Sequence, residues 1–367
     1  MSIYVAISSH GYGHATRMAA VIDSLLQLNP DLLPVIVTGA PRWLLDKYIR
    51  SGKFLHRPLP LDFGVIQSDS LTLELDTTIQ RLQSQRSQAA ATIAAEAEFI
   101  RVNRIKLVFG DIPPLACAIA KAVGVPCWMA GNFSWDFIYR EYGDAFTPFA
   151  DWIAELYGGC DRLFRLPFHH DMEAFPAIED VGLTGSTPIY SAAAARQHLQ
   201  LDANRPTVLL TFGGMGIDNI PYRNVTDFPD WQFLTLDASA PTDIDNLRVL
   251  NGETWRPVDI LPACDQAIVK PGYGTFAEVL RLGIPVRCLT RHNFAEAALL
   301  MDGLRRYGHH QVIEPEQVKC DSWSWLEDAF VAPTEATPID ADGNVTIARA
   351  IAAELSPSSP PVSEIAA

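Results

Sequence analysis

Short apolar runs alternate with helical patterns along this chain, at the spacing of repeated strand–helix units. In the first half the apolar runs are Tyr4–Ser8, Pro34–Thr38, Phe54–Arg57, Leu107–Phe109 and Pro126–Met129. Between them, Ala15–Leu28 places Ala19, Ile22, Leu25 and Leu26 on one helical face. Leu73–Asn103 contains no glycine or proline and predicts one long helix or two abutting ones. Leu115–Val123 predicts a short helix stopped by Gly124. Pro167–Ala203 is looser, with prolines and small residues, and reads as a connection carrying one helix. The alternation then restarts at Thr207–Thr211, Gln232–Thr235, Leu247–Leu250, Ala267–Val269, Val286–Cys288 and Gln311–Ile313. Strands alternating with helices imply parallel sheets with right-handed crossovers. The expected fold is α/β, with two doubly wound domains facing a central cleft. Residues 1–166 form the first domain, 167–205 the connection and 206–355 the second domain. A proline- and serine-rich tail at 356–367 is expected to be disordered.

Chemistry enters at the boundary between apolar run and helix in the second half. Lys270-Pro271-Gly272-Tyr273-Gly274-Thr275 follows the run ending at Val269, and a helical pattern from Phe276 to Leu282 stops at Gly283. Gly272 and Gly274 allow close backbone approach, and a helix beginning near Thr275 offers free N–H groups to an anion. Glu278 lies about one turn inside that helix. A phosphate cradle beside an acidic hydrogen-bond acceptor suits a nucleoside diphosphate with its ribose.

The first run ends in Ser8-Ser9-His10-Gly11-Tyr12-Gly13-His14-Ala15-Thr16-Arg17. Gly11-x-Gly13-x-x-Thr16 approaches a dinucleotide fingerprint, but the second run ends Val37-Thr38-Gly39-Ala40 without the acid a ribose needs, which speaks against NAD or FAD. His14 sits at a helix start facing the expected cleft. It is either a general base for a hydroxyl or a capping and packing histidine. His10 is a candidate ligand contact. Asp111, after Leu107–Phe109, either orients His14 or caps the helix that begins at Pro113. Asn132, Trp135 and Asp136 follow the next run, where aromatic and polar groups suit a hydroxylated acceptor or make a buried aromatic cluster.

Composition narrows the partners. The 367 residues are enough for two domains, and 48% hydrophobic with 19% charged residues marks a globular chain. The net charge of −15, from 43 acidic and 28 basic residues, speaks against nucleic acid or an anionic membrane as the main partner. No apolar run reaches membrane-spanning length, and the amino terminus reads as a strand, not a signal peptide. A cytoplasmic location follows. Cys117, Cys127, Cys160, Cys264, Cys288 and Cys320 are scattered without a CxxC pair and read as reduced structural thiols. Asp243-Ile244-Asp245 and Asp340-Ala341-Asp342 have the spacing of one class of metal–diphosphate motif. Such triplets arise often by chance in an acidic chain. His169-His170 and His309-His310 lack the helical spacing of a two-histidine site, so no metal is expected.

Together, Gly272-Tyr273-Gly274-Thr275-Phe276-Ala277-Glu278, His14 and Asp111 resemble glycosyltransferases of the GT-B fold, including the bacterial lipid II-forming transferase and the plant UDP-glucosyltransferases. The resemblance implies two Rossmann-like domains. Gly272, Gly274 and Thr275 would then hold a UDP pyrophosphate, with Lys270 and Tyr273 in the same stretch, and Glu278 would bind ribose. His14 would act as base, with Asp111 beside it. Thr211-Phe212-Gly213-Gly214 resembles the family's first loop of the second domain, which approaches the donor phosphates.

A closer resemblance is to the N-terminal, glycosyltransferase-like region of plant L-arabinokinases. It rests on His10–Arg17, Asn132–Tyr139, Lys270–Glu278 and Arg291-His292-Asn293-Phe294-Ala295-Glu296. The resemblance does not reach the sugar-kinase half of those proteins, so kinase activity is not expected of this stretch. Where plant glucosyltransferases place Asp-Gln against the donor sugar, this chain has Asn293 and Glu296. The implied activity is inverting, metal-independent transfer from a UDP-sugar, which is a substrate and not a cofactor. The acceptor would be a small-molecule or lipid-linked hydroxyl. His10, Gly13, Asn132, Trp135, Asp136, Arg291, Asn293 and Glu296 are the expected substrate contacts. A non-catalytic nucleotide-sugar-binding module and a sugar-nucleotide epimerase of the same fold are the alternatives, and the oligomeric state is open.

Overall fold

A computed structural model describes residues 1–68, 72–213, 216–320 and 322–356. The first unit runs β1 (Ser2–Ile7), α1 (Gly13–Leu28), β2 (Leu33–Val37), α2 (Arg42–Tyr48), β3 (Leu55–Arg57) and α3 (Leu75–Val102). It continues with β4 (Val108–Asp111), α4 (Leu115–Val123), β5 (Cys127–Gly131), α5 (Trp135–Arg140), α6 (Thr147–Tyr157), β6 (Arg162–Arg165) and β7 (Ile178–Asp180). After α7 (Ala192–His198) the second unit begins with β8 (Thr207–Thr211), β9 (Gln232–Thr235), β10 (Leu247–Val249) and α8 (Pro257–Ile260). It closes with β11 (Gln266–Val269), α9 (Tyr273–Leu282), β12 (Val286–Leu289), α10 (Ala295–Tyr307), β13 (His310–Ile313), α11 (Pro315–Lys319) and α12 (Gly343–Leu355).

Both sheets are parallel and doubly wound. The first has the order β3-β2-β1-β4-β5-β6-β7, the second β10-β9-β8-β11-β12-β13. In such sheets the strand order reverses at one point, and the loops leaving the two strands there diverge to opposite faces and open a crevice. The reversal falls between β1 and β4 in the first sheet and between β8 and β11 in the second. Register sets what lines each crevice. Ile7 pairs with Asp111, so that carboxylate sits beside the start of the His10–Gly13 loop. Val269 pairs with Thr211, so the Lys270–Gly272 turn leaves next to Phe212-Gly213.

The domain boundaries differ from those expected. β6 was not foreseen, and β7 adds to the first sheet from inside the expected connection, because Leu163–Arg165 offers an edge that Ile178–Asp180 pairs in parallel. The last helix returns to the first unit, where α12 packs along α1. Ala15, Met18 and Ile22 of α1 share one apolar cluster with Tyr273 and Phe276 of α9 and Ile347 and Ile351 of α12. The two units are thus joined through a common core as well as a connection. Of the two readings of Leu73–Asn103, one long helix or two abutting ones, the structure has the single helix, α3, of 28 residues. The helix after the glycine turn starts at Tyr273, earlier than expected, with Gly272 as its N-cap. The tail expected to be disordered lies, from 357 onward, outside the described residues. No described helix is long and apolar enough to cross a membrane.

Candidate active site

α1 begins at Gly13 without a side-chain cap, so His14 and Arg17 leave its first turn on one face, one helical turn apart. Both are buried, at 5% and 3% exposure. His14 Nδ1 lies 2.9 Å from Asp111 Oδ1. Arg17 grips the same carboxylate in fork geometry, with Nε 2.6 Å from Oδ2 and Nη2 2.6 Å from Oδ1. Burial pushes the Asp111 carboxyl up, but Arg17 and His14 outweigh it and hold the group below the usual carboxylate range. An imidazole lone pair facing an ionised oxygen at that distance would be repulsive. Nδ1 also lies 3.1 Å from Arg17 Nη2, so it faces a donor and an acceptor; in the tautomer bonded to Asp111 the proton is on Nδ1 and Nε2 is the basic position.

Arg17 extends this pair to the second unit. Its Nη1 donates to Asn132 Oδ1 at 2.7 Å, and Asn132 Nδ2 donates to Glu296 Oε1 at 2.8 Å. Glu296 lies in the first turn of α10, where a carboxylate complements the helix dipole. The Arg17 guanidinium also lies 4.9 Å from the centre of the Tyr273 ring. The sequence reading passed over Arg17, although His14-x-x-Arg17 at helical spacing was the available signal.

An aromatic wall surrounds the other side of His14. His10 stacks on Phe294 with ring centres 5.5 Å apart and meets Trp135 edge-on at 5.2 Å. Phe133 lies 5.5 Å from His14 and 5.1 Å from Trp135. Trp135 Nε1 donates to Asp62 Oδ2 at 2.8 Å, and the Ser9 N–H donates to Asp62 Oδ1 at 2.9 Å. Burial raises the Asp62 carboxyl despite these donors. Asp62 lies in a loop with no pattern that would mark it. Burial, followed by the nearby His14, Arg291 and Lys270, holds His10 well below the ordinary histidine range, so it stays neutral.

The second unit contributes a different surface. In α9 the first intrahelical bond runs from Phe276 N–H to Gly272 C=O at 3.0 Å, leaving the N–H groups of Tyr273, Gly274 and Thr275 outside the helix ladder. Gly272 has φ −163°, extended backbone open to any residue. A Cβ there would meet nothing nearer than Lys270 O at 4.0 Å, and at Gly11, Gly13 and Gly216 nothing within 4 Å. Gly272 is therefore required neither by its own conformation nor by close protein packing. At Gly213, φ is +77° and a Cβ would lie 3.0 Å from Lys270 Cε, so glycine is required there. The tips of α1 and α9 meet: a Cβ on Gly274 would lie 3.7 Å from Thr16 Oγ1.

Glu278 is 7% exposed, and burial pushes its carboxyl up to about 8 against the pull of Arg256 and Arg281. None of the contacts acting on it is a hydrogen bond from a described residue. Its neighbourhood also includes the first unit. Tyr48 lies 5.2 Å beneath the Arg256 guanidinium, and Lys47 Nζ donates to the carbonyls of Gly252 and Trp255.

The expected contacts thus divide. His10, His14, Asp111, Asn132, Trp135 and Glu296 converge, and Lys270 and Arg291 bring positive charge to His10. Tyr273 is turned to a structural task, because its hydroxyl accepts the Thr184 N–H at 3.1 Å. Asp136 interacts with Ser134 and Arg140 and acts on the Tyr157 hydroxyl. The Asn293 backbone carbonyl accepts from the Tyr142 hydroxyl at 3.3 Å. Gly214 lies outside the described residues.

Solved structures with this architecture carry sugar-transfer names. SnogD, a glycosyltransferase of Streptomyces nogalater, superposes with a TM-score of 0.57 at 16% identity, covering 96% of this chain and 95% of its own. UGT71G1 of Medicago truncatula, complexed with UDP-glucose, gives 0.56 at 11% identity, covering 96% and 94%. This is the GT-B glycosyltransferase fold. No protein-family profile matches the chain. In sequence it is 31% identical over 309 residues to L-arabinokinase of Arabidopsis thaliana, covering 82% of this chain and 29% of that protein. The chain therefore spans less than a third of the length of that relative. In GT-B terms, the His14 network belongs to the first domain and the α9 tip to the second.

Proposed function

We propose that this protein is a glycosyltransferase moving a sugar from a nucleoside-diphosphate donor, UDP-linked, to an acceptor hydroxyl with inversion and without a metal. The observation that carries the reading is the 2.9 Å contact between His14 Nδ1 and Asp111, held where α1 meets the tip of α9. His14 Nε2 takes the hydroxyl proton as the acceptor oxygen bonds to the anomeric carbon. The bond from that carbon to the diphosphate oxygen breaks, and the electron pair leaves with UDP. The N–H groups at 273–275, with Lys270 and Arg291, stabilise the leaving charge. Glu278 supplies a buried acceptor for the ribose hydroxyls. The UDP-glucose bound to the Medicago truncatula relative supports the choice of donor class. A cytoplasmic setting belongs to the same proposal.

One observation favours a second reading, a nucleotide-sugar-binding module without turnover. Arg17 holds both oxygens of Asp111, and a cation beside His14 opposes the imidazolium that base catalysis creates. The test is UDP release from a panel of UDP-sugars with mixed hydroxyl acceptors, read alongside UDP binding by calorimetry. Transfer by the native chain, lost by about two to four orders of magnitude in His14→Ala with UDP binding kept, supports the base assignment. UDP binding without turnover supports the module instead, and no UDP binding removes both.

A further inference from the structure

Three of the cysteines that lie apart in sequence meet inside the first unit. Cys117 is in the first turn of α4, Cys127 opens β5 and Cys160 precedes β6. Their exposures are 1%, 1% and 3%. All three sulfurs lie within 4.8 Å of one another, and Cys117 Sγ is 3.8 Å from Cys127 Sγ. That separation is far beyond a disulfide bond of about 2.0 Å, so these are thiols. Three sulfurs placed around one ion at about 2.3 Å in a trigonal plane stand roughly 4 Å apart, close to the 3.8 Å of the Cys117–Cys127 pair and inside the 4.8 Å that bounds all three.

We propose that Cys117, Cys127 and Cys160 form a metal site of three thiolates, suited to a soft three-coordinate cation such as monovalent copper. The donor set is sulfur alone, the class that selects copper(I) and zinc over harder ions. Among the described residues, no histidine or carboxylate joins the three sulfurs as a fourth ligand. Structural zinc closes a tetrahedron of four, so three donors favour copper(I).

Asp161 Oδ2 accepts the Cys127 N–H at 2.7 Å and fixes that ligand's backbone. Cys117 in a helix's first turn places one sulfur in the positive end of a helix dipole. The three thiols release their protons as the sulfur–copper bonds form. Gly158 and Asp161, on either side of Cys160 in the chain, are exposed. Cys127 and Cys160 stand at the amino ends of their strands, whereas the His14 cleft opens at the carboxyl ends.

The test uses the full chain, reduced and oxygen-free, titrated with copper(I) against a competing chromogenic chelator. The result expected is one copper retained per chain, with Cys117, Cys127 and Cys160 shielded from alkylation and Cys264, Cys288 and Cys320 unchanged by the metal. Cys160→Ser and Cys117→Ser should each lose the copper, and Cys320→Ser should keep it. Should a serine variant fail to fold by circular dichroism, the alkylation pattern of the native chain decides. Failure to retain copper, shielding that does not fall on these three residues, or a Cys117–Cys127 disulfide in its place overturns the proposal.

Discussion

The two walls of the cleft are built on opposite plans. Around His14, Asp111, Arg17 and Asn132 of the first domain form one continuous chain of hydrogen bonds that ends on Glu296 of the second, within an aromatic wall. On the second-domain side the α9 tip leaves its N–H groups outside the helix ladder, a glycine stands where an alanine would fit, and Glu278 is buried without a hydrogen bond from a described residue. A wall that satisfies itself holds geometry, whereas a wall with groups left over receives a ligand. Burying a carboxylate without partners is unfavourable, and sites tolerate it where a ligand's donors complete it.

That contrast can be broken first at Arg17. Arg17→Ala should destabilise the fold by about 3–5 kcal/mol, because it leaves the Asp111 carboxylate buried without its main counter-charge. Chemical denaturation measures it, and a loss below about 1 kcal/mol would mean that the network does not hold the wall together. Asn132→Ala should cost about 1–3 kcal/mol, since it strands Arg17 Nη1 and Glu296 Oε1 together. Its effect should be smaller than additive in the double variant with Arg17→Ala, as expected for one shared network.

The smallest effect sharpens the other wall. Glu278 has a folded-state value of about 8, above its ordinary value of 4.5. The folded chain therefore holds a proton that the unfolded chain gives up between those values. Its contribution to stability is fully present below about pH 4.5 and is lost as pH rises toward 8. Glu278→Gln should flatten the fall in stability across that window, as read from denaturation midpoints at pH 5 and pH 8. Parallel slopes in both proteins would show that the carboxyl titrates normally.

Much of this was legible in the sequence for local reasons. The glycine turn, the α9 stop at Gly283 and most strands are short-range patterns, and they fall where expected within a residue or two. The approach of His14 to Asp111 was legible because parallel strands 1 and 4 are natural neighbours. What escaped depends on distant packing. Arg17 pairs with groups 94 and 115 residues away. Nothing near Asp62 marks it, and β7 is a three-residue edge strand that is defined only by its neighbour. The cysteine cluster unites sulfurs that lie 10 and 33 residues apart, a spacing without a motif. Asp136 follows Trp135 in a helix, where consecutive side chains point in different directions, and the groups acting on it are Ser134 and Arg140.

The central claim, that the α9 tip receives a nucleoside diphosphate, is tested most directly by titrating UDP into the native chain and into Gly272→Ala by calorimetry. The native chain should bind UDP, and the variant should melt at the same temperature yet bind about tenfold more weakly or worse, because its methyl group enters space that the protein itself leaves open. Equal UDP affinity in the two proteins, or no UDP binding by the native chain, would contradict the account.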